Sequence, residues 1–162
     1  RSLWFVGVAL ILWSFVMYYA DSRATQERHE EDVTWRDTLI IGLTQCLALI
    51  PGVSRSGATM SAGLLRGFDR VAVTRLSFFL SVPALTAAGI LQTVTKFGDI
   101  SDGVGWGPTI VATITSFAVA YLVVAWLLRY IAKHNYAVFI IYRIALGSLV
   151  LGLVSTGVLA AS

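Results

Sequence analysis

Apolar positions along the chain fall into long runs separated by short polar breaks. Residues 3–20 carry no charge over 18 positions, residues 76–95 over 20 and residues 108–128 over 21. Residues 137–160 make a fourth run of 24, with Arg143 as its single charge. An α-helix rises about 1.5 Å per residue, so roughly 20 apolar residues cross a hydrocarbon core about 30 Å thick. Each run predicts a transmembrane helix. Pro108 stands at the first position of the third run, where its missing N–H costs nothing. Pro83 lies inside the second run and predicts a kink.

A fifth segment has another pattern. Residues 38–50 (TLIIGLTQCLALI) are apolar or uncharged for only 13 positions. The polar stretch Pro51-Gly52-Val53-Ser54-Arg55-Ser56-Gly57-Ala58-Thr59 follows, and Met60 to Leu65 turns apolar again. A 13-residue arm is about 20 Å long and stops part-way through the core. Two short arms around a Pro/Gly turn predict a re-entrant helical hairpin over 38–66. Its tip must face protein or a wet cavity, because exposed backbone is not tolerated against lipid.

Composition agrees with a membrane chain. Hydrophobic residues make up 57% and charged residues 13%, half the roughly 25% charge of soluble domains. Six of the nine acids lie within residues 21–37. With the hairpin re-entrant, loops 21–37, 66–75 and 129–136 share one side. They carry Arg23, Arg28, Arg36, Arg66, Arg70, Arg75, Arg129 and Lys133, against Arg1 and Lys96 on the other side. Eight against two makes the three loops cytoplasmic; a full crossing by 38–66 would split them. The net charge of +3 comes without a basic stripe, which excludes nucleic acid as a partner. Tyr18, Tyr19, Trp106, Tyr130 and Tyr136 fall at span ends, as interfacial aromatics do. Ser148, Gly152 and Thr156 form a small-residue stripe suited to a close helix contact. The chain starts at Arg1, already inside an apolar run and without a signal-peptide pattern, so it reads as part of a longer protein.

The turn carries the candidate chemistry. Gly52 and Gly57 permit unusual backbone and close approach, successive N–H groups can form an anion nest, and Ser54, Ser56 and Thr59 add hydroxyls. Arg55 adds a planar fork matched to phosphate oxygens. A second arm starting near Ser56 would aim a helix N-terminus at the same anion. The competing reading is an Arg55–carboxylate pair that holds helices together, at the cost of an arginine deep in the membrane. The stretch is neither a nucleophile elbow nor a Walker A loop. Cys46 lies too far from Arg55 for a Cys-x5-Arg phosphatase loop and reads as a small core residue. Arg143 either snorkels to the headgroups or turns inward to the anion. Gln45 can hydrogen-bond in the site or to a neighbouring helix. His29 and His134 lack metal-ligand spacing and read as solvated, and loop 21–37 reads as a solvated connection.

The run Gly42-Leu43-Thr44-Gln45-Cys46-Leu47-Ala48-Leu49-Ile50-Pro51-Gly52-Val53-Ser54-Arg55-Ser56-Gly57-Ala58-Thr59 resembles the second signature of the undecaprenyl-pyrophosphate phosphatase (bacitracin-resistance) family. The similarity continues through Leu76-Ser77-Phe78-Phe79-Leu80-Ser81-Val82-Pro83 and returns at Ile141-Tyr142-Arg143. The resemblance implies two inverted repeats, each with a re-entrant hairpin, of which this chain is the C-terminal half. It implies hydrolysis of undecaprenyl pyrophosphate to the monophosphate at the bacterial plasma membrane, recycling the lipid carrier of peptidoglycan synthesis. It also implies a divalent metal, magnesium or calcium, held by acids of the family's first signature. No glutamate-rich segment with a Ser-Ser-Thr-Gly-His run occurs here, so metal ligands and the proton-transfer group are expected in the absent N-terminal half.

The expected fold is therefore an all-α polytopic membrane domain of four transmembrane helices and one re-entrant hairpin. Arg55 and Ser54 are the expected catalytic residues. Gly52, Ser56, Gly57, Thr59, Gln45 and Arg143 are the expected substrate contacts, and no metal ligand is expected in this chain. Expected partners are a polyprenyl pyrophosphate lipid, the bilayer and the absent repeat; a homodimer is also admissible. Two other classes stay open: half of an anion or lipid transporter or flippase, since broken helices with a mid-membrane arginine build anion sites there too, and a purely structural subunit.

Overall fold

The computed structural model describes residues 3–98, 103 and 105–159. Among the described residues, six named α-helices follow in order: α1 (Leu3–Arg23), α2 (Trp35–Thr44), α3 (Arg55–Leu65), α4 (Arg70–Thr95), α5 (Trp106–Ile131) and α6 (Ala137–Ser155). Short 3-10 turns occupy Glu30–Asp32 and Gln45–Leu49. Helices α1, α4, α5 and α6 are each long and apolar enough to cross a membrane. The chain is an all-α polytopic membrane protein. Relative to the expected spans, α4 starts six residues earlier, at Arg70, because Asp69 caps it by accepting from the Ala72 N–H at 2.8 Å. Helix α4 runs on through Pro83, and α6 ends at Ser155; residue 160 of the expected fourth span lies outside the described residues.

Close packing is set by glycines that the sequence reading did not single out. Helix α1 packs mainly on α6 and α3. A Cβ on Gly7 would stand 2.7 Å from the Leu151 side chain, and one on Gly147 would stand 2.8 Å from Ile11 and 3.0 Å from the Gly7 carbonyl. Those two glycines bring the α1 and α6 backbones together. The expected stripe of Ser148, Gly152 and Thr156 is instead exposed. Helix α5 buries only Ile131 and presents side chains such as Phe117 and Leu122 outward, a surface suited to lipid.

Helix α2 and its 3-10 extension run to the turn at 50–54, and α3 runs back. Thr34 starts α2 with a reciprocal cap: its Oγ1 accepts from the Asp37 N–H, and its own N–H donates to Asp37 Oδ2 at 3.0 Å. The Asp37 side chain is fully buried. Arg28 grips it with both Nη atoms, at 3.1 and 2.7 Å; Thr34 Oγ1 donates to it at 2.6 Å, and Arg66 Nε donates to it as well. Arg28 also donates to the Arg66 and Asp32 carbonyls and lies over the Phe68 ring. Because Asp37 opens α2 and Arg66 follows α3, both arms of the hairpin have their feet at one end of the molecule.

The other polar connections meet there. Arg28 and Phe68 pair by backbone through Arg28 N–H to Gly67 O and Asp69 N–H to Arg28 O. Arg70 pairs with Asp21, Arg75 with Glu30, and His29 with Asp69, each at 2.7 Å. Tyr136 is buried, its hydroxyl bonded to Thr74 Oγ1 at 2.6 Å and to the Arg70 carbonyl. Three expectations are corrected by this lattice. Loop 21–37 is not merely solvated, Tyr136 is a core residue rather than an interfacial aromatic, and His29 has a carboxylate partner. The Asp69 hydrogen bond raises the His29 pKa above its usual value.

The Arg28 fork, with help from Thr34 and Arg66, holds the Asp37 carboxyl far below the ordinary carboxylate range. A depressed pKa means that its stabilisation is complete above about pH 4, the unfolded value, and is lost only as acid approaches the lower folded value. Asp37→Ala leaves two arginines facing an emptied site. Breaking such a pair costs about 3 kcal/mol, the low end for buried pairs because both arginines keep a third of their surface exposed. Denaturant unfolding in detergent at pH 7 measures this loss, which Asp37→Asn should only partly restore.

Candidate functional site at the hairpin tip

The tip lies at the opposite end of the hairpin from its ion-paired feet. Gly52 adopts φ +95°, and a Cβ there would meet the Val6 carbonyl at 2.7 Å and Ala9 Cβ at 2.8 Å. Ala9 is 14 residues before Arg23 on α1, so the tip stands about 20 Å from the loop end. This depth equals the length expected for a 13-residue arm.

Ser54 caps α3. Its Oγ accepts from the Gly57 N–H at 3.2 Å and lies 3.1 Å from Ser56 Oγ. The N–H groups of Ser54, Arg55 and Ser56 have no hydrogen-bond partner among the described residues. Three donors at the start of an eleven-residue helix therefore remain to be satisfied, and the helix dipole favours negative charge beside them. The half-buried Arg55 makes no ion pair or side-chain hydrogen bond among the described residues. The competing reading, an interhelical ion pair of Arg55, finds no carboxylate partner among the described residues.

Arg143 turns inward rather than snorkelling. Its Nη2 donates to the Gly52 carbonyl at 3.1 Å, and its Nε points at Ser14 Oγ at 3.4 Å. Ser14 is fully buried on α1. The sequence signal for it was a lone hydroxyl pair-mate within an apolar span, and it was missed. Arg143, Ser54, Ser56 and Gly57 share one cavity of about 170 Å³, which Arg55 does not line.

Two of the expected contacts, Thr59 and Gly57, have structural partners of their own. Thr59 is buried one turn along α3, where its hydroxyl lies 2.7 Å from Ser77 Oγ and close to the Arg55 and Ser56 carbonyls. It ties α3 to α4 instead of facing the tip. Gly57 serves packing: a Cβ would stand 3.1 Å from Met17 Sδ and 3.3 Å from the Trp13 ring. Its N–H is taken by the Ser54 cap, so it is not a free nest donor. Gln45 keeps a buried Oε1 without a partner among the described residues. Cys46, expected in the core, is exposed on the hairpin.

The tip offers donors and cations but no metal ligands. Among the described residues no three His, Cys, Asp or Glu side chains come together. Asp37, the buried carboxylate, is engaged at the far foot, while Asp99 and Asp102 lie outside the described residues. These residues do not fit a divalent metal; they fit an anion.

With this geometry in hand, similarity to known proteins is informative. The family model described as bacitracin resistance protein BacA matches residues 1–149. The chain is 72% identical over 162 residues to undecaprenyl-diphosphatase 3 of Frankia casuarinae, covering 100% of this chain and 58% of that protein. It is 50% identical over 164 residues to an undecaprenyl-diphosphatase of a Nocardioides species, covering 99% of this chain and 58% of that one. Undecaprenyl-diphosphatase 1 of Streptomyces avermitilis is 51% identical over 159 residues, with 98% and 56% covered. The chain thus spans a little over half the length of these relatives.

Gly52→Ala tests the tip's construction. The residue must hold a positive φ, which costs an alanine about 1–2 kcal/mol, and its new methyl would meet the Val6 carbonyl. The variant should lose at least that much stability, with the Arg143 contact to residue 52 broken. Gly42→Ala, whose Cβ meets nothing within 4 Å, should be neutral or better in the same unfolding assay.

Proposed function

Because the chain belongs to the BacA family of bacitracin resistance proteins, we propose that it supplies the diphosphate-binding turn of an undecaprenyl-diphosphatase. The reaction is hydrolysis of undecaprenyl pyrophosphate to undecaprenyl phosphate and inorganic phosphate at the bacterial plasma membrane, recycling the lipid carrier of peptidoglycan synthesis. One observation carries this reading. Among the described residues, Arg55 at the first position of α3 has no side-chain partner, and the N–H groups of Ser54, Arg55 and Ser56 at the same helix N-terminus are unpaired, at the far end of the hairpin from its buried carboxylate. That is an anion site left open inside an apolar protein.

In the reaction, water adds to the terminal phosphorus and the bridging P–O bond breaks, leaving the lipid monophosphate. Such a transfer asks chiefly for positioning and for stabilisation of charge on the phosphoryl oxygens. Arg55 holds the diphosphate with its planar fork, and the Ser54, Arg55 and Ser56 N–H groups orient it with the Ser54 and Ser56 hydroxyls. Arg143 fixes the turn through the Gly52 carbonyl and keeps donors to spare for the same anion. Gly52 permits the turn, whereas Gly57 and Thr59 hold α3 in place. The divalent metal and the proton-transfer group belong to the part of the relatives' length that this chain does not span. That part forms the inverted partner repeat. The relatives are named diphosphatases, and the transporter reading finds no support among them.

We place residues 38–66 in the membrane as a re-entrant hairpin, with loops 21–37, 66–75 and 129–136 cytoplasmic. The shared end of Asp37 and Arg66 supports this, as does the charge asymmetry.

Two measurements test the proposal. In the full-length protein, Arg55→Lys keeps the charge but loses the fork, and phosphate release should fall about 10²–10³-fold, the scale of a lost transition-state donor. Turnover within a few-fold of the parent would sink the assignment. For the topology, single cysteines replacing Glu27, Arg75 or Lys133 in a Cys46→Ser background should all react with an impermeant thiol reagent from one side. A cysteine replacing Gly103 should react from the other. Opposite-side labelling of the Glu27 and Arg75 positions would make 38–66 a crossing.

A further inference from the structure

A second, more polar cleft lies at the loop end of the molecule, away from the hairpin tip. It holds about 670 Å³, within the roughly 300–1,000 Å³ of small-ligand sites. It opens where α4 begins and where the α5–α6 turn lies, the level at which these spans leave the hydrocarbon. His29, Asp69 and Arg70 line one side, and Lys133 and His134 line the other. Asp69 is the one carboxylate among the described lining residues, and both of its oxygens are engaged. Oδ1 accepts from the Ala72 N–H at 2.8 Å, and Oδ2 accepts from His29 Nδ1 at 2.7 Å. Arg70 commits Nε to Asp21 and one Nη to Gln26. Lys133 makes no ion pair or side-chain hydrogen bond among the described residues. His134 Nδ1 stands 3.0 Å from the Tyr130 carbonyl, which can only accept, so that nitrogen carries a proton. An aromatic ladder leads to the cleft from the membrane. Trp126, Tyr130 and His134 follow at four-residue spacing, on one face. Trp126 stacks on Tyr130 with centroids 5.5 Å apart, and Tyr130 stacks on His134 at 4.3 Å. Trp126 is exposed on a helix whose surface suits lipid, and His134 belongs to the cleft wall.

We infer that this cleft binds the phosphate of an anionic phospholipid, whose acyl chains lie along the Trp126–Tyr130 ladder. The site is separate from the hairpin tip and stands whether or not the tip binds a diphosphate. Its charge favours an anion. Lys133 is uncommitted, and the Asp69 hydrogen bond that raises the His29 pKa keeps more of that ring as imidazolium. Its engaged carboxylate sets the lipid class. A zwitterionic headgroup would bring an ammonium, and no free carboxylate of the cleft remains to receive it, whereas a net negative headgroup needs only donors. The ladder favours a lipid over free phosphate, because stacked amphipathic rings at a span end give apolar contact just below the headgroup level. A phospholipid held there would also join two segments. Among the described residues no ion pair links the wall of His29 and Asp69 to the turn carrying Lys133 and His134, and a phosphate can accept from both.

The test takes the full-length protein from vesicles of equal parts phosphatidylglycerol and phosphatidylethanolamine into mild detergent. Native mass spectrometry then reads the lipids it retains. Phosphatidylglycerol should be retained in preference, and Lys133→Gln should lower its retention about fivefold, the worth of one lysine near an anionic surface. Arg36→Gln removes a loop-end charge that does not line the cleft and should leave retention unchanged, as should Arg55→Lys at the tip. Phosphatidylglycerol with brominated chains should quench a tryptophan signal that Trp126→Phe removes and Lys133→Gln weakens. Equal retention of the two lipids would overturn the inference. So would equal losses in Lys133→Gln and Arg36→Gln, which would mean diffuse attraction to a charged leaflet. A preference lost in Arg55→Lys and kept in Lys133→Gln would move the lipid to the tip and overturn the cleft assignment. Binding of inorganic phosphate, followed by phosphorus NMR and removed by Lys133→Gln without any preference between the lipids, would make this a free-phosphate site and overturn the lipid assignment.

Discussion

A single buried carboxylate organises the hairpin. Asp37 has no solvent contact of its own, and two arginines from different segments converge on it. A charge removed from water this completely is tolerated only where its lone pairs are met, and Arg28, Arg66 and Thr34 meet them. The geometric consequence reaches the other end of the molecule. Once the start of α2 and the end of α3 are clamped together, the turn between them can lie only at the opposite end. Its depth is then set by arm length alone. The tip's closeness to Val6 and Ala9 follows from the feet being fixed some 20 Å away.

The same clamp separates charges by sign. Asp21, Glu30, Asp37 and Asp69 are each paired at the loop end with Arg70, Arg75, Arg28 or Arg66, and His29. At the tip, Arg55 and Arg143 face no carboxylate among the described residues. An arginine in an apolar setting ordinarily acquires a counter-ion from its own protein, because the desolvated charge is costly. Here that stabilisation is left for a ligand. A site built this way suits an anion because the described acids are gathered at the loop end, and no single tip residue creates the preference.

Much of this was legible in the sequence, because the signals were local. Runs of 18 to 24 uncharged or nearly uncharged residues gave four helices in their observed order. The 13-residue arm and its Pro/Gly turn gave the hairpin's length. The Ser54 cap is local as well, since Ser56 and Gly57 are its neighbours both in sequence and in space. The errors share an opposite cause. Thr59 looked like a tip hydroxyl until Ser77, 18 positions on, appeared beside it. Asp37 looked solvated because Arg66 is 29 positions away. Gly57 looked like a nest residue, but its function is set by Met17 and Trp13 on α1. The Gly7–Gly147 crossing joins helices at opposite ends of the chain and left no periodic mark.

The two arginines at the tip therefore differ in kind, although the sequence presents them alike. Arg143 is already committed: one donor holds the Gly52 carbonyl, and Nε lies toward a buried serine. A carbonyl at a positive-φ turn inside an apolar protein is an acceptor that must be satisfied, so Arg143 is required for the turn's shape before any substrate arrives. A guanidinium has five N–H donors, however, and the remaining ones face the cavity shared with Ser54 and Ser56. Arg55 has no such commitment, and its position at the first turn of α3 adds its charge to that of the helix terminus. The turn is thus shaped by one arginine, which an anion can also touch, and left electrically incomplete by the other. Preorganisation comes from α6, because Gly52 lets the chain pass against α1 closely enough for Arg143 to reach its carbonyl, and the unpaired N–H groups that start α3 supply attraction.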